Sequence, residues 1–155
     1  MGETGVRIRT FRPDDQQLVR DLVLAGLLDH WGTLDPALNP DLNDIAAWYR
    51  PLDGYTVVAE VDNQIAGTGT LHRGDDESGV LARMSVSSDH RGKGIGKALV
   101  RALADVARDK GYRRLVCETT DTWQDAINLY LAMGFTIVDR RDGDVFFELP
   151  LQGQN

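Results

Sequence analysis

The sequence predicts a mixed α/β fold, with about seven strands and four helices in a single domain spanning residues 1–155. Three observations carry that expectation. Strand-like and helix-like runs alternate in the order β-α-α-β-β-β-α-β-α-β-β. Two strand-like runs, Ser78 to Val86 and Arg114 to Thr119, enclose one long helical run, which is the arrangement of a parallel pair. The other strands are joined through short polar turns, so their neighbours should be antiparallel.

Val6-Arg7-Ile8-Arg9 alternates as a short first strand. Pro13-Asp14-Asp15 marks a helix start with an Asp as cap. From Gln16 to about His30, Leu18 and Leu22, and Val19, Val23 and Leu27, recur on neighbouring helical faces. Asn39 can cap a second helix, Pro40 suits its first position, and Pro51 ends it near Arg50. Tyr55 to Val61 and Gln64 to Leu71 form a hairpin across Asp62-Asn63. Gly74-Asp75-Asp76-Glu77 is a polar loop before the strand ending at Val86. Ile95, Leu99, Leu103 and Val106 keep helical spacing as far as Lys110, with Gly111 as C-cap. A helix over Asp125 to Met133 places Ala126, Leu129, Tyr130 and Met133 on one face, and Gly134 stops it. Phe135 to Asp139 and Val145 to Leu149 close the chain as a hairpin.

Composition narrows the function. The chain has 155 residues, 42% hydrophobic and 26% charged, as in an ordinary soluble domain. Its net charge of −7 argues against a general nucleic-acid binder, which needs surplus Lys and Arg; it tolerates a cationic substrate such as an amine, and solubility alone accounts for it equally well. The single cysteine, Cys117, reads as strand packing and can form neither an internal disulfide nor a Cys-rich metal site. No apolar run approaches the length needed to span a bilayer, and the residues from Met1 to Arg7 lack the apolar segment of a signal peptide. These features point to a cytoplasmic protein.

The distinctive segment is Arg91-Gly92-Lys93-Gly94-Ile95-Gly96, between a strand and a helix. Glycines permit close backbone approach, and the first helical turn offers free N–H groups and a positive dipole end. Together they make an anion cradle suited to phosphate or pyrophosphate. Arg83, Arg91, Lys93 and Lys97 add positive charge nearby against one acid, Asp89. A P-loop is excluded, because Ala98 follows Gly96-Lys97 and Arg91 stands where the first Gly belongs. A dinucleotide fingerprint fails because its last Gly would fall at Lys97. The pattern Arg-x-x-Gly-x-Gly fits Arg91, Gly94 and Gly96.

That pattern resembles the pyrophosphate-binding loop of the GNAT superfamily of acyl-CoA N-acyltransferases. Upstream, Met84-Ser85-Val86 is similar to the end of the family's fourth strand, and downstream Ala126 to Phe135 is similar to its Ala-x-x-Leu-Tyr-x-x-x-Gly-Phe segment. The resemblance spans nearly the whole chain. It implies a GNAT-like fold whose parallel pair is central and acetyl-CoA as co-substrate with no metal. The acceptor would be an amine of a small molecule or peptide, attacking the thioester directly. The implied cofactor contacts are Met84, Ser85, Val86, Arg91, Gly92, Lys93, Gly94, Ile95, Gly96, Lys97, Trp123 and Tyr130. Tyr130 matches the family tyrosine near the sulfur and would act as general acid. Trp123 stands where many members carry an Asn, so it would instead pack on the cofactor or wall the acceptor pocket.

The general base is open. Glu118, expected to be partly buried beside the cleft, is the first candidate. His72, Asp121 and a water chain are others. Asp35, Asp41 and Asp44 could attract a cationic amine or serve only local structure. A non-catalytic acyl-CoA-binding module stays as the alternative function, and a homodimer stays open.

Overall fold

Within Tyr55–Val61 the side chains alternate: Val57 and Ala59 are buried in one core cluster and Val58 in another. This two-sided burial organises the molecule, a seven-stranded sheet covered by helices on both faces. The structure, a computed structural model, describes residues 5–75 and 77–151. The segment Met1 to Thr4 and Asp76 of the expected polar loop lie outside the described residues.

The strands are β1 Val6–Thr10, β2 Tyr55–Val61, β3 Gln64–Arg73, β4 Ser78–Val86, β5 Arg114–Thr120, β6 Thr136–Arg141 and β7 Asp144–Pro150. The helices are α1 Gln16–Trp31, α2 Ile45–Tyr49, α3 Ile95–Asp109 and α4 Gln124–Ala132. Sheet order is β1-β2-β3-β4-β5-β7-β6, with β4 and β5 parallel and every other pair antiparallel. The expected fold class and the central parallel pair are present. The closing hairpin is inserted so that β7, the last strand, lies between β5 and β6.

α3 and α4 pack on one face. Ile95, Leu99, Val100, Leu103 and Ala107 of α3 meet Leu71, Leu81, Leu115 and Phe147 of the sheet, with Tyr130 of α4 joining them. α1 and α2 pack on the other through Val19, Val23, Leu24, Ile45 and Tyr49. The α1 stripe is rotated from the expected one: Leu18 is exposed, while Leu24 and Gly26 are buried.

The helix starts also differ from expectation. Asp15 stands at the N-cap of α1 but makes no cap hydrogen bond there. Its carboxylate instead closes the preceding 3-10 turn, accepting from the Arg12 amide at 2.7 Å, and takes two more hydrogen bonds from Arg9, at 2.8 and 3.0 Å. Pro40 opens a 3-10 turn, and α2 begins later, capped by Asp44, which accepts from the Ala47 amide at 3.2 Å. Asn39 is used elsewhere.

Candidate active site

The site begins where the sheet comes apart. β4 and β5 pair over Ser78–Arg114, Gly79–Leu115 and Val80–Val116, and among the described residues no further rung joins them. Beyond that point the two strands splay, and the gap between them is walled by α1 on one side and α3 and α4 on the other.

β4 is irregular at the same place. Its register with β3 slips between Thr68 and Thr70, so that Arg83 and Met84 together oppose Gly69. Arg83 sits at the bulge with φ of 55°, a left-handed conformation that a side-chain-bearing residue adopts only under constraint. The extra residue explains the burial pattern: Leu81 faces the α3 core, and after the bulge Met84 and Val86 do so too, an odd spacing in a strand.

What holds the bulge is an ion pair across the sheet's other face. Arg83 Nε and Nη2 donate to both oxygens of Asp41, at 2.9 and 2.7 Å, and Nη2 also donates to Asn39 at 3.0 Å. Tyr49 Oη donates to the same carboxylate at 2.6 Å, and the Tyr49 ring stacks on His72. Burial works against ionising Asp41, but the Arg83 guanidinium and the Tyr49 hydroxyl outweigh it and hold the carboxyl below its ordinary range. Burial, with Asp41 beside it, pushes the Tyr49 phenol well up.

Two cavities share the split. The first, about 680 Å³, runs along the glycine-rich turn. Gly94 precedes α3 with φ of 81° and offers no capping side chain, so the first N–H groups of the helix are left for a ligand. Gly96 lies close under α4: a Cβ there would come within 3.2 Å of Leu129. Met84, Ser85, Val86, Arg91, Gly92, Gly94, Ile95, Gly96, Lys97, Trp123 and Tyr130, all expected at a cofactor, line this cavity.

Two expected basic residues do not. Lys93 is absent from the wall. Arg83 is turned away onto Asp41, so it adds no charge to the cradle. Arg91 is partly engaged, donating to the Val86 carbonyl at 3.3 Å and standing 3.7 Å from Asp29.

The second cavity, about 320 Å³, opens on the α1 face. It shares Gly26, Met84, Ser85, Trp123, Ala126 and Tyr130 with the first. Gly26 lets α1 press close, since a Cβ there would sit 3.0 Å from Ser85 Oγ. Tyr130 is thus on the common wall. It is 5% exposed, packed between Phe135 and Phe147, and burial, helped by nearby Cys117, holds its phenol far above its ordinary value. A phenol so placed keeps its proton.

The other candidates separate. Glu118 lines the second cavity, but it is exposed rather than partly buried, because its side of β5 lies beyond the cover of α1. His72 lines neither cavity and is held by the Tyr49 stack and the Arg73 carbonyl. Asp121 also lines neither cavity. Asp35 accepts from the Ala37 amide, Asp41 binds Arg83 and Asp44 caps α2, so all three serve local structure. Cys117 is buried packing, its thiol pushed up by burial and by Glu118.

Sequence reasoning missed a bridge over the split. The His30 ring stacks on Trp123 at 4.1 Å, nearly parallel, and its Nε2 lies 3.2 Å from Thr122 Oγ1. This ties the end of α1 to the start of α4. The pairing joins residues far apart in the chain, and no local pattern announces it.

The split sheet thus carries an uncapped helix start and one cavity on one side and a second cavity on the other. Solved structures agree in fold. An acetyltransferase of the GNAT family from Staphylococcus aureus Mu50 superposes with a TM-score of 0.87 at 22% identity, covering 95% of this chain and 99% of that one. The PaiA N-acetyltransferase from Thermoplasma acidophilum, solved with coenzyme A, gives 0.78 at 15% identity over 94% and 98%. Residues 19–135 match the model of the acetyltransferase (GNAT) family, and the chain belongs to that family. N-acetyltransferase 8F1 of Rattus norvegicus is 44% identical over 117 residues, 72% of this chain and 53% of the relative. N-acetyltransferase 8B of Homo sapiens is 36% identical over 122 residues, 75% and 52%. The chain therefore spans about half the length of these curated relatives.

Proposed function

We propose that the protein transfers an acetyl group from acetyl-CoA to a primary amine of a small molecule or peptide. The observation that carries this reading is Tyr130, a buried phenol on the wall common to both cavities. The donor would lie in the larger cavity with its pyrophosphate on the start of α3. The residues present suit it: an uncapped helix start, glycines beside it, and Arg91 and Lys97 on the wall. The coenzyme A in the Thermoplasma structure supports the same choice.

The acceptor would enter from the smaller cavity, so that nitrogen and thioester meet at the split. Holding two reactants in line supplies roughly 7–11 kcal/mol in favourable systems. A β4 amide near Val86, on the edge that β5 has left, would polarise the carbonyl as an oxyanion donor does. Tyr130 would give its proton to the departing thiolate. Glu118, exposed on the acceptor side, would take the amine's proton directly or through water.

The test is a pair of measurements on the intact chain. Acetyl-CoA and CoA should each raise the thermal midpoint, and NAD and ATP should not. Thiol release from acetyl-CoA should then require an amine. A shift without turnover on any amine would favour the non-catalytic acyl-CoA-binding module, and no shift with either coenzyme would end the proposal.

A further inference from the structure

Resting on that reading, we infer that the acceptor is a small amine with an apolar arm and no carboxylate beside its nitrogen. It is an arylalkylamine or alkylamine rather than an α-amino acid.

The size of the second cavity is one reason. At about 320 Å³ it is at the small end of ligand sites, with room for one side-chain-sized body. Its apolar wall is another. Leu27 and Trp31 of α1 line it together with Trp123, and Trp31 is 51% exposed.

Charge decides the class. Three formally charged side chains line the cavity: Arg83, Glu118 and Asp144. The charge of Arg83 is already matched by both oxygens of Asp41. Arg141, cross-strand from Asp144, is turned onto the Phe146 ring at 4.1 Å and onto Asp139. Glu118 and Asp144 are left without a hydrogen-bonded or ion-paired partner among the described residues.

Thr120 joins them. It sits opposite Asp144 in the β5–β7 register and two residues from Glu118, so all three point to one face. Its hydroxyl lines the same cavity, buried and with no hydrogen-bond partner. The patch offers two negative charges and one hydroxyl, which suits an ammonium group. An α-amino acid would bring its own carboxylate into the same place, against two like charges and with no unmatched cation to receive it.

The arrangement also suits turnover. As the amide C–N bond forms and the thioester C–S bond breaks, the ammonium loses two protons by way of Glu118 and water: one ends in solvent, and one replaces the proton that Tyr130 gives to the departing thiolate. The product is neutral at that nitrogen, so Glu118 and Asp144 no longer hold it.

The experiment compares matched acceptors that differ by one carboxylate: phenethylamine with phenylalanine, tyramine with tyrosine, and isopentylamine with leucine. Thiol release from acetyl-CoA gives kcat/KM for each. The decarboxylated member should be faster in every pair by about tenfold or more. Glu118→Gln combined with Asp144→Asn should raise the amine KM several-fold, while the thermal shift given by acetyl-CoA alone is retained. An amino acid that equals or beats its amine in any pair overturns the inference, as does an unchanged amine KM in the double variant. If acetyl-CoA shifts the midpoint and none of the amines reacts, the acceptor class is wrong and the donor site stands. If acetyl-CoA gives no shift, the acetyl-transfer reading falls and this inference with it.

Discussion

The two cavities meet at Tyr130 and are built by opposite means. The larger one takes its proposed anion cradle from one stretch, Arg91 to Gly96, and it uses backbone: glycine angles and the uncapped start of α3. The smaller one gathers side chains from α1, β4, β5, α4 and β7. A site made of backbone depends on a few glycines and tolerates change around them. One made of distant side chains depends on the fold bringing each into place, and each contributes separately.

Four perturbations would sharpen or break that contrast. The largest effect is expected at the shared wall. Tyr130→Phe should lower kcat by about 10²- to 10⁴-fold, the range for a general acid, while the thermal shift with acetyl-CoA persists. Loss of the shift as well would mean that the two cavities are not separable there.

Next is the clamp beneath the acceptor side. Arg83→Met leaves Asp41 buried and unpaired, at a cost of about 3–5 kcal/mol in denaturant unfolding. Arg83→Met with Asp41→Leu should recover much of it. Because the folded carboxyl of Asp41 titrates below its unfolded value, its stabilisation is present above about pH 4 and disappears as pH falls. Asp15, Asp53 and Glu60 shift the same way, so the wild type loses stability in acid generally. Asp41→Asn should flatten that acid limb relative to wild type when thermal midpoints are followed across the same pH range.

The tryptophans separate the cavities more finely. Trp31 lines only the smaller one and Trp123 lines both. Trp31→Ala should raise KM several-fold for the amine alone, whereas Trp123→Ala, which also breaks the His30 stack worth about 0.5–1.5 kcal/mol, should raise KM for both substrates. The smallest effect is expected at Lys93→Ala. It is off the wall, and KM for acetyl-CoA should change by less than about twofold, as for an exposed charge.

The same contrast explains what the chain reveals before folding. The strands, the long helix and the parallel pair follow from local periodicity and from one helix enclosed by two strands. Arg91, Gly94 and Gly96, which line the larger cavity, stand out in the sequence because they lie in one contiguous stretch. Arg83 belongs to the local basic surplus in sequence alone. The bulge turns it to the other face, where Asp41 waits from a turn some forty residues earlier. Asn39 looks like a cap locally and is claimed by Arg83, while the Asp15 carboxylate is shared between the Arg12 amide and Arg9 of β1. Glu118 was expected to be sheltered, since sequence shows that β5 is central but not where α1 stops covering it. His30 on Trp123 has no local signal at all.

The short pairing of β4 with β5 has a consequence beyond catalysis. Three residue pairs join the strands at the centre of the sheet, and past them the halves are held mainly by helices and the His30–Trp123 bridge. A molecule filling the split would therefore complete the protein's own interior. At one hundred times its Kd it would add about 2.7 kcal/mol to folding stability. For a domain of this size that is a substantial part of the usual margin. Were that molecule the acetyl-CoA proposed above, the lifetime of this chain in a cell would follow its supply.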